Sequence, residues 1–183
     1  MGTRRAAREL ALQALYQLDV AGAGDPAVAL FWSHLDAERA EAERESARAA
    51  RGESRAGVHP GASEERRARS ARALDGPPGG EVEVFARELV DGVAAHRERI
   101  DALIAASAEH WRLPRLSRVD LSLLRLATFE LLGRADIPAS VTIDEAIEIA
   151  RRFGSEDSPA FVNGVLDHIA QVLGVKEKPK SPE

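Results

Sequence analysis

The chain has 183 residues, room for one domain or for one domain plus a disordered segment. Its formal charge is −5, so it is no bulk polycation, and nucleic-acid binding would need a local basic patch. It has no cysteine, which excludes disulfides and cysteine metal sites. Aromatics are only 4%, so alanine and leucine must do most of the packing, which favours helices over sheet. No apolar run approaches the ~18 residues of a membrane span, and the N-terminus lacks the apolar centre of a signal peptide. A soluble cytoplasmic protein is expected.

Thr3 caps a first predicted helix that reaches Val20. Ala7, Leu10, Ala11, Ala14, Leu15 and Leu18 recur at helical spacing and give it one apolar face. Arg5, Arg8, Leu12 and Tyr16 fall together on the opposite face, with Arg4 at the flank. Arginines at a helix N-terminus oppose the macrodipole. They read either as a solvated surface or as a phosphate-binding patch with an aromatic platform for single-stranded nucleic acid.

A turn at 21–24 precedes Asp25-Pro26, the start of a second helix running to Leu35. Residues 36–80 hold only Val58 and Leu74 as large aliphatics, and no aromatic. They cannot bury enough surface to offset chain entropy, and a disordered, solvated insertion is expected. Its first part, 36–51, can extend the preceding helix through Glu–Arg pairs.

Order resumes at Glu81. Val82, Phe85, Ala86, Leu89, Val90 and Val93 form an apolar helix face that continues, or kinks, into Ile100, Leu103 and Ile104. Ser117 and Asp120 form a capping box for a helix over 119–132 that is apolar nearly all round and should be the central buried one. Arg125 and Glu130 lie within it. They are expensive to bury unless paired, so both are expected to reach the surface or bond helix ends. Asp120 is expected at the exposed end. Thr142 and Glu145 form a second capping box, opening a helix that ends at Phe153-Gly154 with Gly154 as a left-handed cap.

Ser158 then reads as an N-cap, with Pro159 opening the last helix. Asn163 and Gly164 sit inside that helix although both are poor helix formers. Gly164 reads as a close-packing point between helices, and Asn163 as bonding the loop backbone. The tail, 175–183, should fray. The total is about seven helices and no strand.

Searches for a reaction centre fail. His34, His59, His96, His110 and His168 share no ligand spacing, and the glycines at 76–80 lack the lysine and strand of a phosphate loop. There is no G-x-S-x-G. An enzyme, a cofactor and a metal are therefore not expected.

Five blocks together resemble the NusB family of bacterial transcription antitermination factors. They are RRAARELALQALYQ at 4–17, FARELVDGV at 85–93, VDLSLLRLATFELL at 119–132, IPASVTIDEAIEIARRFG at 137–154 and SPAFVNGVLD at 158–167. They cover the chain apart from the insertion and tail. The resemblance implies one all-α domain over 1–183, two three-helix bundles packed side by side. It implies binding to boxA RNA of nascent ribosomal RNA transcripts together with NusE, a small-subunit ribosomal protein, so that RNA polymerase reads through terminators.

By resemblance the RNA-binding residues are Arg4, Arg5, Arg8, Tyr16, Asp157 and Phe161, and the partner-facing acid is Asp120. Phe161 either stacks on an unpaired base or packs at the bundle edge. Two departures stand out: Ala6 and Ala7 interrupt the arginine cluster, and the insertion is unusually long. The second reading is a protein-interaction module of the same fold with weak RNA binding, or a homodimer with a masked RNA surface.

Overall fold

The computed structural model describes residues 3–21, 25–51, 80–108 and 116–175. Among them are seven helices and no strand: α1 Thr3–Ala21, α2 Asp25–Ala50, α3 Gly80–Ala95, α4 Arg97–Ser107, α5 Arg118–Gly133, α6 Ala139–Phe153 and α7 Ser158–Val172. None of these helices is long and apolar enough to cross a membrane.

The all-round apolar pattern of α5 places it at the centre. It packs against α1 and α3 on one side and against α4, α6 and α7 on the other. Two mutually packed groups, α1–α3–α5 and α5–α6–α7, thus meet at α5. The core is aliphatic, as the composition demands: Leu89, Ile100, Ile104, Leu123, Leu124, Leu126, Ile149, Leu166 and Ile169 are fully buried. Each contributes about 1.5–3 kcal/mol of burial. Trp32 is the one buried aromatic among the described residues, set edge-on to Phe31 and under the Arg87 guanidinium.

Close approach between α3 and α5 depends on a glycine. Phe129 of α5 lies across Gly92 of α3, where a Cβ would fall 2.0 Å from the ring Cζ. His96 stacks on that ring, at the single-residue break between α3 and α4.

α2 continues to Ala50, so 36–50 extends the second helix, as its Glu–Arg spacing allowed. Residues 52–79 and the tail beyond 175 lie outside the described residues. Several local expectations are corrected. α6 starts at Ala139, with Pro138 at its cap, so Thr142 is a buried interior residue and caps nothing. Proline's fixed φ had already set the chain for helix one turn earlier.

Gly154 is extended (φ −90°, ψ −170°), not left-handed. It is needed for room: a Cβ there would meet Ser158 Cβ at 2.5 Å and the Ala150 carbonyl at 2.8 Å. α7 already includes Ser158, whose hydroxyl turns back to accept the Ser155 N–H at 2.8 Å. Gly164 is no packing point, since a Cβ would find open space, and Asn163 beside it is exposed.

Arg125 and Glu130 do not reach the surface. Both are buried and both are paired, Arg125 with Asp101 and Asp19, and Glu130 with Arg8.

Candidate nucleic-acid interface

The N-terminal arginines of α1 have three different environments. Arg8 is buried, against the expectation that it lies on a solvated face. Its Nε and Nη2 each donate to one Glu130 oxygen at 2.7 Å, and the two side chains are 4% and 1% exposed. Leu12, on the same face, is buried too. This fork-to-fork pair satisfies both charges where water cannot reach them, which is what makes their burial tolerable. It also removes Arg8 from any surface, so Arg8 ties α1 to α5 and offers nothing to a ligand from outside.

Arg5 is half-buried. It donates from Nε to Glu145 Oε2 at 2.8 Å and from Nη2 to Oε1 at 2.6 Å. The hydrogen bond from Arg5 holds the Glu145 carboxyl below the usual glutamate range, helped by the charges of Arg5 and Arg8, against partial desolvation. The same hydrogen bond raises Arg5. Arg4 is 59% exposed, with a loose 3.8 Å approach to Asp136 and its guanidinium 5.9 Å from the Phe85 ring. Asp136 in turn is held by Arg134, whose hydrogen bond lowers the carboxyl.

Further along the line where α1 meets α6, Arg152 donates to both oxygens of buried Glu9, at 2.9 and 2.8 Å. Three arginines of this seam, Arg5, Arg8 and Arg152, therefore face three carboxylates, Glu145, Glu130 and Glu9.

The seam runs to the α6–α7 turn. Ser158 Oγ binds the Ser155 N–H and lies 3.0 Å from Ser155 Oγ, which fixes the turn. Asp157 is exposed on it. Phe161, one turn on, is partly buried against the core edge with its remainder at the surface. Tyr16 is exposed too, but twelve residues after Arg4 on α1, about 18 Å along the helix axis. The structure therefore strings these residues out over a surface and does not gather them into a pocket.

Asp120 is corrected as well. It is buried, not exposed: Ser117 Oγ donates to its Oδ2 at 2.7 Å and accepts its N–H at 3.0 Å. The capping contact read from the sequence is present, but it tucks the carboxylate in. Its Oδ1 has no hydrogen-bond partner.

A family model described as the NusB family matches residues 56–171. The chain belongs to the NusB family. It is 43% identical over 174 residues to the transcription antitermination protein NusB of Geobacter sulfurreducens, covering 94% of this chain and 97% of that one. The NusB of Myxococcus xanthus is 44% identical over 174 residues, with 94% and 98% covered. Among solved structures, NusB of T. maritima superposes with a TM-score of 0.62 at 33% identity, over 92% of this chain and 90% of that one. The fold is also that of NusB in a crystal structure of antitermination factors NusB and NusE with dsRNA, at TM-score 0.61 and 22% identity, covering 94% and 98%.

Set in the NusB fold, what sequence reasoning missed is that Glu9, Glu130 and Glu145 are the partners of the seam arginines. One signal for them was present: Glu130 stood in a helix too apolar to leave a charge unpaired, and an unmatched arginine row stood on α1.

Proposed function

We propose that this chain is an RNA-binding transcription antitermination factor, which binds boxA RNA of nascent ribosomal RNA transcripts together with NusE and helps RNA polymerase read through terminators. It acts by binding, without catalysis. The observation that carries this reading is the end-to-end likeness to transcription antitermination proteins over 94% of the chain. The NusB–NusE–dsRNA complex of the same fold supports an RNA and a NusE partner.

On this reading RNA meets Arg4 and the edge of Arg5, then Asp157 and Phe161, with Tyr16 further along α1. Arg8 serves as the strut beneath. Asp120 faces the protein partner after release from Ser117. One observation favours the second reading, an interaction module with weak RNA binding: the arginines of the seam are already paired.

A gel-shift titration with boxA RNA, with and without NusE, tests both. The first reading expects a shift that NusE strengthens, and Phe161→Ala should weaken it by about 1–3 kcal/mol if the ring stacks on a base. Arg4→Glu should weaken it and flatten its salt dependence by about 0.7 in the log–log slope for each phosphate no longer neutralised. NusE binding with no RNA shift would establish the second reading. No shift and no NusE binding would refute both, and size-exclusion chromatography of the same samples reports any homodimer.

A further inference from the structure

We propose that Glu145 sets how tightly and how selectively this surface takes RNA, because it occupies the edge of Arg5 that a phosphate would take. This rests on the RNA-binding reading above. A guanidinium carries five N–H donors, and carboxylates and phosphates both bind its Nε–Nη2 edge, a planar fork, through two parallel hydrogen bonds. In the free protein Glu145 fills that fork through both of its oxygens, at 2.8 and 2.6 Å. Its Oε2 also lies 3.8 Å from Arg8 Nη1, so it sits between two cations.

The other pairs of the seam are built differently. Arg8–Glu130 is closed to solvent on both sides, and the acid that holds Arg152 is buried at 2% exposure. Arg152 is itself 38% exposed, as open as Arg5 at 35%, but only Glu145, at 19%, is an acid with room to turn to water when an anion arrives. Arg5 can therefore take a phosphate at this fork only by giving up a carboxylate, and a phosphate at its other edge, Nη1 with Nη2, would still meet a charge that Glu145 already neutralises. The exchange lowers the affinity of any polyanion that merely drifts along α1. It favours a strand whose neighbouring contacts hold one phosphate at the fork while Glu145 turns to water.

The test is a fluorescence-anisotropy titration of labelled boxA RNA at two salt concentrations. It uses the parent, Glu145→Gln, Arg5→Gln, the double variant, and Glu41→Gln as a control. Glu41 is exposed on α2, and its variant makes the same change in net charge. Glu145→Gln should bind about three- to tenfold tighter at the lower salt and steepen the log–log slope by about 0.7. The gain should vanish in the Arg5→Gln background, because no fork remains to be released. If the parent binds and Glu145→Gln binds no tighter, the proposal fails. It fails equally if Glu41→Gln gains as much, which would be a bulk charge effect, or if the gain persists without Arg5. If neither the parent nor Glu145→Gln binds, the RNA-binding reading falls and takes this inference with it. Should glutamine at 145 lower the melting temperature, Glu145→Asp, too short to keep both hydrogen bonds, must still bind tighter than the parent.

Discussion

The two ends of α1 carry charges of the wrong sign for a helix, and the protein holds them in different ways. Arginines crowd the N-terminal end, where no acid stands in the first turn, and Asp19 lies in the last turn, where no base stands. Both arrangements oppose the macrodipole. At the N-terminal end the compensation is one closed pair and one half-open pair, from α5 and α6. At the C-terminal end a single acid collects three arginines: Arg97 at 2.8 Å, Arg125 at 2.6 Å, and Arg118, which donates to the Asp19 carbonyl at 3.0 Å. Asp101 completes that cluster by binding Arg125 at 2.7 and 2.9 Å. A helix can thus be locally unfavourable at both termini and still be fixed, provided distant elements supply the missing signs. Only the N-terminal end adds to this a pair that faces the candidate RNA surface and that solvent can reach.

The largest loss is expected from Glu130→Gln, which leaves Arg8 buried without its counter-charge. Urea unfolding at pH 7 should show a loss of about 3–5 kcal/mol. The double change Arg8→Met with Glu130→Leu should recover most of it, because an apolar pair of similar volume no longer has charges to desolvate. At the other end Arg125→Ala should cost less, about 2–3 kcal/mol by the same assay, since water can partly serve Asp19 and Asp101 once the arginine is gone.

Acid should then separate the half-open pair from its surroundings. Glu145 has a depressed carboxyl, so its contribution is present above the ordinary glutamate range and is lost as pH falls through its folded value. Between about pH 5 and pH 3 the parent should therefore lose more melting temperature than Glu145→Gln. Parallel curves would mean that the pair adds nothing to stability. The smallest effect belongs to Arg4→Ala, which should stay within about 0.5 kcal/mol of the parent, as expected of an exposed charge with a loose ion-pair partner and a distant ring.

What could be read in advance follows the range of the forces involved. The α5 start was legible because Ser117 and its N–H partner are three residues apart, and the buried stripe of α1 because Ala7 to Leu18 repeat at helical period. Arg8 was misplaced because a helical wheel sees only α1, while the partner that draws it inward lies 122 residues away. Asp120 was misplaced by a similar limit, since neighbours outside its own turn cover it. Thr142 and Glu145 satisfied the capping pattern, but Pro138 had already set the helix start. Gly164 was given a packing role that its open surroundings do not support, and nothing in the structure explains a glycine at this exposed helical position. For the candidate site, the resemblance proposes the residues, whereas their state of pairing required three dimensions.

The length of chain between Arg8 and Glu130 has a consequence in time. During synthesis at about 5–20 residues per second, the 122 residues between them take roughly 6 to 24 s to appear. Glu145, 140 residues after Arg5, comes later still. For that interval α1 has been made but α5, which carries the acid that Arg8 pairs with, has not. The buried Arg8–Glu130 pair, which ties α1 to α5, thus closes only after most of the chain has been made.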